Sequence, residues 1–410
     1  MAAERRHSFT HDIAHAPPAS RRRGHTPRRQ LGGSGQSQPH LDMTSARYRD
    51  LQPGDPAPWF TQRCTSNERY AFDTVAGRYI VLCFFGSAGH VSGQARLGQV
   101  LQLRPRFDDQ RLTFFGVSVD PADEASDRLQ EALPGIRHFW DADRRVSRLF
   151  GALPAEAGRD DAEEYRPRWV ILNPDLSVRR VIHFLADRSD LESFAAALDA
   201  LPPVEHYAGV EVHAPVMLIP GIFDTALCRE LVALYERHGG AISGHMVDEG
   251  GRTVGVYDAS HKVRRDQTIE DPAIKARINA RIGAVVAPAI ARAYNFSANR
   301  MERYVVACYD SADQAHFRAH RDNTTRGTAH RRFALSINLN GEFEGGELSF
   351  PEFGPRRYKP PAGCGVVFSC SLLHAVSPMR SGRRFAFLPF LYDEAAAAVR
   401  EANGASLARG

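Results

Sequence analysis

Residues 46–200 alternate two hydrophobic patterns. Short runs such as RYIVLCFFG and LTFFGVSVD are apolar at nearly every position, which is typical of strands covered on both faces. The segments that follow them, SGQARLGQVLQLRPRF and DEASDRLQEAL, have helical spacing, and the second begins among acidic residues, which a helix N-terminus favours. RPRWVILNPDLSVRRVIHF predicts two strands around an Asn-Pro-Asp turn, and DLESFAAALDAL predicts a final helix. This alternation predicts a largely parallel α/β layer.

After the Pro-containing stretch 203–214, the pattern changes to that of two helices. DTALCRELVALYERHGG predicts a helix with Asp224 as N-cap and the two glycines as its end. DPAIKARINARIGAVVAPAIARAYN predicts a longer helix, kinked by a proline, with one apolar face. That face is formed by Ile274, Ile278, Ile282 and Val285.

From Met301 onward, short strands and Gly/Pro turns replace the helices, as in RYVVACYDS, RFALSINLN and GCGVVFSC. Helices followed by many short strands predict an α+β domain whose strands close into a sandwich or barrel. The chain is therefore divided into a disordered tail 1–45, an α/β domain 46–202, a linker 203–214, an α+β domain 215–395 and a C-terminal tail 396–410.

The net positive charge of the chain is confined to the first segment. The formal net charge of +4 lies entirely in residues 1–42, which contain seven arginines and three acidic residues. This segment is too polar to bury a core, so it is interpreted as a solvated tail, with binding of an anionic partner as the alternative. Because the excess charge does not lie on a folded face, no nucleic-acid partner is expected.

Three features indicate where the protein resides. No stretch approaches the ~18 consecutive apolar residues of a membrane helix. The first residues, MAAERRHSFTHDIAHAPPAS, lack the apolar core of a secretory signal. The six cysteines are scattered without a CxxC pair, which fits a reducing compartment. We expect a cytoplasmic protein that does not bind a membrane.

The first domain carries the motifs LQPGDPAPWF, GRYIVLCFFGSAG, FFGVSVD and RPRWVILNPD. On these motifs it resembles the peroxiredoxins of the alkyl-hydroperoxide-reductase/thiol-specific-antioxidant (AhpC/TSA) type, which implies a thioredoxin-like fold. That family uses a Cys thiolate at the start of the helix after the first central strand. Here the equivalent point is Ser92 or Gly93, and Cys83 lies inside the strand. We expect a domain without peroxidatic chemistry, used for structure or for docking a partner.

Two histidines and one aspartate of the second domain are candidate metal ligands. His320 and Asp322 are two residues apart, so on an extended strand both side chains point to one face. His374 follows 52 residues after Asp322, at the end of an apolar run. Two imidazoles and one carboxylate on one face of an octahedral ion leave three positions open, as in non-haem Fe(II) oxygenases. A surface pair at His320 and Asp322 and a core histidine at 374 are the alternatives.

The order of motifs around these residues resembles the catalytic core of the prolyl 4-hydroxylase-like 2-oxoglutarate/Fe(II) dioxygenases. The matching segments are YVVACYDSADQAHFRAHRDNTT, FALSINLN, FEGGELSFPEFG and YKPPAGCGVVFSCSLLHAVSPMRSGRRFAF. The resemblance implies a double-stranded β-helix (jelly-roll) core in which His320, Asp322 and His374 bind Fe(II). It also implies hydroxylation of a C–H bond with O2, coupled to decarboxylation of 2-oxoglutarate to succinate. Members of this family commonly need ascorbate, and their substrates are prolyl or other peptidyl residues or small molecules.

The same resemblance assigns residues to the co-substrate. Arg384, ten residues after the last histidine, would bind the distal carboxylate of 2-oxoglutarate, since a guanidinium can donate two parallel hydrogen bonds to a carboxylate. Strand alternation turns the neighbouring Arg383 to the opposite face. Tyr309 stands at the family's aromatic position, eleven residues before the first ligand, and Asn338 is a further candidate. A solvated charge at Arg384 and an ordinary core position for Tyr309 are the alternatives.

Other polar residues near these motifs receive simpler interpretations. His90, His316 and His330 are predicted to be surface residues. The polar stretch 243–268 covers the active site in the resembling family, and its Lys262, Arg264 and Arg265 are interpreted as part of a solvated loop. Attraction of an acidic substrate is the alternative for these three cations. The alternative function for the whole chain is a peroxide-related redox or partner-binding protein that acts through its first domain.

Overall fold

The computed structural model describes residues 47–156 and 163–404. The predicted tail 1–45 lies outside the described residues. Among the helices of these two ranges, none is long and apolar enough to cross a membrane.

Seven strands form a single sheet in the first domain. They are β1 (Thr61–Cys64), β2 (Asn67–Ala71), β3 (Tyr79–Gly86), β4 (Leu112–Ser118), β5 (Ile136–Trp140), β6 (Arg168–Leu172) and β7 (Val178–His183). Their order in the sheet is β2-β1-β5-β4-β3-β6-β7. Among the strands in the described part of this domain, only the pairs β3–β4 and β4–β5 are parallel, so the prediction of a largely parallel layer was wrong. The tight turn after β6 permits only an antiparallel neighbour, because a parallel one needs a long crossover.

Both faces of this sheet are covered, which explains the unbroken apolar run of β3. Ile80, Leu82 and Phe84 belong to one hydrophobic cluster, whereas Val81 and Cys83 belong to the other. Four helices accompany the sheet: α1 (Val91–Gln102), α2 (Pro121–Ala125), α3 (Arg145–Leu149) and α4 (Ser189–Asp199).

The helix predicted for DEASDRLQEAL is much shorter in the structure. It begins earlier, at Pro121, with the Asp120 side chain accepting a hydrogen bond from the backbone N–H of Ala122. It ends at Ala125, because Asp127 adopts a left-handed backbone conformation with φ of 50°. The apolar residues beyond Ala125 therefore do not continue a helical face.

The second domain consists mainly of two antiparallel sheets. Its strands are β8 (Met217–Ile219), β9 (Ala241–Ile242), β10 (His245–Glu249), β11 (Arg252–Val256), β12 (Lys262–Val263), β13 (Arg265–Thr268), β14 (Arg300–Glu302), β15 (Val305–Asp310), β16 (His316–His320), β17 (Phe333–Asn338), β18 (Phe343–Glu344), β19 (Leu348–Ser349), β20 (Arg357–Tyr358), β21 (Gly365–Ser369), β22 (His374–Val376), β23 (Ser381–Phe387) and β24 (Phe390–Tyr392). The smaller sheet has the order β12-β16-β22-β19-β20. The larger, ten-stranded sheet follows β14-β24-β17-β23-β15-β13-β9, with β18, β21 and β8 paired beside this path. Two facing antiparallel sheets agree with the jelly-roll core that was predicted.

Helices cover the outer side of the larger sheet. They are α5 (Thr225–His238), α6 (Pro272–Arg281) and α7 (Ala287–Tyr294). A π-helical turn, Ile282–Val286, joins α6 and α7 and inserts one residue into the helical repeat. Val286 is consequently fully buried in the core. Val285, which the sequence pattern placed on the apolar face, packs against the same core but is only partly buried.

The prediction of a C-terminal tail at residues 396–410 was also wrong for the first part of that range. Residues Glu394–Asn403 form a helix, α8, capped by the Asp393 side chain. Nη1 of Arg400 donates a hydrogen bond to the hydroxyl of Tyr392, and Nε of the same arginine forms an ion pair with Glu302. The side-chain amide of Asn403 donates to the backbone carbonyl of Arg326. These contacts attach the helix to the second domain.

Candidate metal centre

Two of the three candidate ligands lie on neighbouring strands of the smaller sheet, and the third lies just after one of these strands. His320 ends β16, Asp322 follows it, and His374 begins β22, where it lies directly opposite His320. The Nε2 atom of His320 is 3.6 Å from Oδ1 of Asp322, and Nε2 of His374 is 3.3 Å from Oδ2 of the same carboxylate. One donor atom from each of the three residues lies within 4.8 Å of the others. The donors are therefore close enough to share one cation.

Backbone carbonyls fix the orientation of both imidazoles. Nδ1 of His320 is 2.8 Å from the carbonyl oxygen of Arg318, and Nδ1 of His374 is 3.0 Å from that of Leu372. Each Nδ1–H donates to its carbonyl, so each Nε2 carries a lone pair that faces Asp322. This is the tautomer that a metal ligand needs.

The electrostatic environment favours the metal-binding protonation states. Burial, with the neighbouring His374 as the next cause, lowers the pKa of His320 to about 4. Burial alone would raise the pKa of Asp322, but His374 and His320 hold it well below its usual range. A neutral imidazole and an ionised carboxylate are therefore the forms at neutral pH, and both are the forms that bind a divalent cation.

These three residues line a cavity between the two sheets. Phe317 and Phe368 give it aromatic walls, and the ring of Phe317 stacks on that of His320 with 3.4 Å between ring centroids. Arg384 and Tyr309 face the cavity from the larger sheet, where they are direct cross-strand neighbours on β23 and β15. The structure therefore brings the ligand candidates and two of the co-substrate candidates into one cavity.

Arg384 is a buried guanidinium whose hydrogen bonds go to neutral groups. Its Nε donates to Oδ1 of Asn338 at 3.0 Å, and its Nη2 donates to Oγ of Ser336 at 2.8 Å. Burial lowers the pKa of Arg384 from its ordinary value. Within the described part of the chain, no carboxylate forms an ion pair with it, whereas Arg383 extends outward to Glu236. An anion in the cavity would complete the coordination of Arg384.

Asn338 is placed to hold this arginine. Its Oδ1 accepts the hydrogen bond from Arg384, and its Nδ2 donates to the carbonyl of Pro360 at 2.7 Å. Both ends of the amide are thus already bonded within the protein. Asn338 orients the guanidinium, and a direct contact with a co-substrate is not needed to explain its position.

The interpretation of Lys262 and Arg264 as part of a solvated loop was wrong. Both are buried, and only Arg265 extends outward, to Asp313. Arg264 binds the carboxylate of Asp266 through Nε and Nη2 and lines the cavity. Burial is the main reason that the pKa of Lys262 falls to about 6. Both side chains are buried because β12 and β13 pair with strands of the two sheets that enclose the site.

The prediction of a surface position was also wrong for His330. Its side chain is buried, and its Nε2 lies 3.0 Å from Glu302, which also accepts a hydrogen bond from Arg331. Arg331 in turn donates to the backbone carbonyl of Asp322. An ionic network of Glu302, His330 and Arg331 therefore contacts the backbone at Asp322, the second residue of the predicted ligand pair. His90 is exposed, as predicted, and His316 is partly exposed.

Replacing Glu302 with glutamine should destabilise the protein in a pH-dependent way. Burial alone raises the pKa of Glu302, but His330 and Arg331 lower it to about 2. Since this folded-state pKa is below the unfolded value, the stabilisation is present above about pH 4.5 and is lost toward pH 2. We expect Glu302→Gln to lower the free energy of unfolding at pH 7 by about 1–3 kcal/mol, measured as a fall in Tm that shrinks as the pH is lowered.

Glu236→Gln is the matched control, since it removes an exposed pair with Arg383. Exposed pairs contribute about 0–1 kcal/mol. Equal Tm shifts for the two variants at pH 7 would contradict the importance of the buried network.

The position of the peroxiredoxin nucleophile holds no thiol. Ser92 is in the first turn of α1, and its hydroxyl accepts a hydrogen bond from Arg96 Nη1 at 3.1 Å. Gly93 is buried, and a Cβ atom placed there would be 2.3 Å from the carbonyl oxygen of Ser87. A side chain at position 93 would therefore require the preceding loop to move. Cys83 is buried, and burial raises the pKa of its thiol well above the usual value.

One further residue of the cavity, Arg303, could not be found from the sequence. Arg303 lines the cavity, and its Nη2 donates to Asp266 at 2.8 Å. Its backbone adopts a left-handed conformation with φ of 67°, just before β15. Neither its spacing to the ligands nor the local hydrophobic pattern distinguishes it from a surface arginine. Only the position of β15 beside β13 reveals its role.

Comparison with known proteins identifies a family for each domain. Residues 304–392 match the 2OG-Fe(II) oxygenase superfamily, and residues 53–181 match the AhpC/TSA family. A PKHD-type hydroxylase of Burkholderia ambifaria is 33% identical over 182 residues, which cover 41% of this chain and 74% of the relative. A PKHD-type hydroxylase of Verminephrobacter eiseniae is 31% identical over 119 residues, which cover 26% of this chain and only 52% of that relative.

Among solved structures, the prolyl hydroxylase of Trichoplax adhaerens, in complex with a hypoxia inducible factor peptide fragment, is 17% identical with a TM-score of 0.38. The similarity covers 45% of this chain and 86% of that one. The two PKHD-type hydroxylases and the two family matches confirm both resemblances that the sequence motifs indicated. The chain belongs to the 2OG-Fe(II) oxygenase superfamily and carries an AhpC/TSA-family domain ahead of its oxygenase domain.

Proposed function

We propose that the second domain is a 2-oxoglutarate- and Fe(II)-dependent dioxygenase that hydroxylates a C–H bond. In this reaction 2-oxoglutarate and O2 are consumed, succinate and CO2 are released, and ascorbate serves as the reductant that keeps the iron ferrous. The observation that carries the proposal is the convergence of His320, Asp322 and His374 within 4.8 Å, in a cavity that also contains the buried Arg384. A metal ion would bind to the three ligands, and a carboxylate of a bound dicarboxylate would pair with Arg384.

Each residue has a distinct part in this proposal. Bound Fe(II) would supply the activation of O2 and the oxidation of the C–H bond. The hydrogen bonds from Nδ1 of His320 and His374 to backbone carbonyls hold both Nε2 lone pairs toward the cation. Arg384 binds the distal carboxylate of 2-oxoglutarate, and Tyr309 packs beside its guanidinium, 5.4 Å from ring centroid to Cζ. The apolar wall around these groups excludes water, which strengthens the ionic contact of Arg384 with the carboxylate.

One experiment tests the proposal directly. The protein is purified without oxygen and given Fe(II) and 2-oxoglutarate, and the weak visible charge-transfer band of the chelate is recorded. Admission of O2 should then abolish the band and produce succinate, and prior removal of metal with a chelator should abolish both signals. Metal-loaded protein that shows neither the band nor succinate would contradict the proposal.

The supporting role of Asn338 leads to a prediction of its own. In Asn338→Ala the Nε–H of Arg384 loses its acceptor in a buried site, which costs about 1–3 kcal/mol. We expect the 2-oxoglutarate concentration at half-maximal succinate formation to rise by roughly tenfold, with metal affinity unchanged. The measurement is a 2-oxoglutarate titration of succinate formation, alongside an anaerobic metal titration. An unchanged 2-oxoglutarate requirement would show that Asn338 does not orient the arginine.

The proposed substrate is a prolyl or other peptidyl residue, or a small molecule. Arg264 and Arg303 line the cavity and share the single carboxylate of Asp266, so this wall carries an excess positive charge. A screen of peptides and metabolites for substrate-dependent succinate formation would identify the class of substrate. The screen should include acidic peptides and acidic metabolites.

A further inference from the structure

Arg321 lies between two of the proposed metal ligands but points away from them. His320 and Asp322 line the cavity, whereas Arg321 is absent from the lining and contacts Glu352 and Asp73. The Arg321 side chain is buried, and its Nη1 and Nη2 bind both carboxylate oxygens of Glu352, with 2.7 Å for the closer pair. Its Nη1 also donates to the backbone carbonyl of Ser371. One guanidinium therefore links the segment that bears two ligands to the segment that leads into the third.

Glu352 extends this link to the third ligand. Its Oε2 accepts a hydrogen bond from the backbone N–H of Leu373, the residue immediately before His374, at 3.0 Å. The backbone N–H of Asp322 donates to the carbonyl of Cys370 at 3.0 Å, which adds a direct connection between the same two segments. The distance between His374 and the ligand pair is thus set by contacts on the side of the smaller sheet that faces away from the cavity.

The partners on that side come from the AhpC/TSA domain. The described residues of both domains belong to one compact unit. Nε of Arg321 donates to Oδ2 of Asp73 at 3.1 Å, and the guanidinium lies over the ring of Trp59, with Cζ 4.4 Å from the ring centroid. Leu373 is fully buried in the hydrophobic cluster of the first domain.

A close backbone approach lies beside these contacts. Gly77 of the first domain faces Pro351, the neighbour of Glu352, and a Cβ atom at Gly77 would be only 2.5 Å from Cβ of Pro351. Gly77 also has a left-handed backbone conformation with φ of 98°, which favours glycine. The two domains therefore meet directly behind the segments that bear the ligands.

From these contacts we propose that the AhpC/TSA domain holds the iron ligands in position, with Arg321 as the positioning residue and Asp73 as its anchor. The inference rests on the proposed function, because it concerns the same three ligands. Residues that orient metal ligands affect metal affinity without touching the metal. Leu373 and Arg321 each adjoin a ligand on the chain, so displacement of either would move a donor atom.

The test uses the full chain with Asp73→Asn, which keeps the shape of the side chain and removes its charge. Metal affinity is measured without turnover, by anaerobic titration with Co(II), at a temperature well below the Tm. Contacts that orient a ligand contribute about 10- to 100-fold in affinity, and Asp73 acts one contact further out. We expect Asp73→Asn to weaken Co(II) binding by about three- to tenfold, Arg321→Met to weaken it by about 10- to 100-fold, and Asp73→Glu to restore most of the affinity.

Asp109→Asn is the matched control. Asp109 is similarly half-buried and also pairs with an arginine, Arg137 at 2.8 Å, but this pair lies within the first domain. The Asp109→Asn variant should have a lower Tm than the wild-type protein and the same affinity for Co(II). Asp73→Asn with wild-type affinity, or an equal loss in Asp109→Asn, would overturn the positioning role whatever happens to the Tm. Failure of the wild-type protein to bind metal would instead overturn the proposed function and this inference together.

Discussion

Replacing His374 with alanine is expected to reduce succinate formation by about a thousandfold or more. A protein-bound metal contributes several kcal/mol of transition-state stabilisation, and every 1.4 kcal/mol is tenfold in rate. The substitution removes one of three donors and leaves Asp322 with a single imidazole neighbour, His320. In the described part of the chain, no second group of three such donors exists that could replace this one. The measurement is succinate formed per minute under saturating Fe(II), 2-oxoglutarate and O2.

His316→Ala is the control for this prediction. His316 belongs to the same strand as His320, and its ring nitrogens face the backbone carbonyls of Gln314 and Ser260 and not the cavity. We expect this variant to retain succinate formation within about twofold, since a surface substitution changes stability by about ±0.5 kcal/mol. Full succinate production by His374→Ala would show that the ligand assignment is wrong, because the reaction would not need the third donor.

Replacing Arg384 with methionine is expected to raise the 2-oxoglutarate requirement by roughly a hundredfold or more. Truncating one partner of a buried, hydrogen-bonded charge pair costs about 2–5 kcal/mol. Methionine has a comparable length, so the cavity stays filled while the charge is lost. Because the interaction holds the co-substrate in both the ground state and the transition state, the effect should appear mainly in KM and less in kcat. Arg384→Lys should recover part of the affinity, since it keeps the charge but not the two parallel hydrogen bonds.

Arg383→Met provides the comparison at the neighbouring position. Arg383 is half-exposed and pairs with Glu236 on the outer side of the sheet. Its loss should leave the KM for 2-oxoglutarate within about twofold, as is usual for an exposed ion pair worth about 0–1 kcal/mol. A larger effect from Arg383→Met than from Arg384→Met would mean that the strand alternation has been assigned to the wrong face.

Much of the candidate site could be predicted from the sequence because its elements follow local rules. The spacing of His320 and Asp322 and the alternation that separates Arg384 from Arg383 are properties of single strands. The same rule accounts for the two faces of β17, on which Phe333, Leu335 and Ile337 join the outer core while Ser336 and Asn338 bond to Arg384. These predictions needed only the local strand geometry and no knowledge of neighbouring strands.

Predictions failed where a residue's environment depends on a distant part of the chain. Lys262 and Arg264 look like residues of a polar loop, but pairing of β12 and β13 with β16 and β15 buries them. His330 has no nearby acidic residue in sequence, and its partner Glu302 is 28 positions away. The single inserted residue of the π-helical turn buries Val286 and leaves Val285 only partly buried against the core, which a strict helical repeat could not show.

The amino-acid sequence alone was enough to identify the chemical groups of the site: two imidazoles, one carboxylate and one guanidinium. The folded structure was needed to show that His374 lies opposite His320 and that Arg321 contacts Asp73, 248 positions away in the sequence. This difference arises because side-chain direction follows from the local backbone, whereas the neighbours of a side chain depend on which surfaces are buried together. The AhpC/TSA domain is therefore packed behind the candidate metal ligands, and no local pattern in the chain indicated this contact.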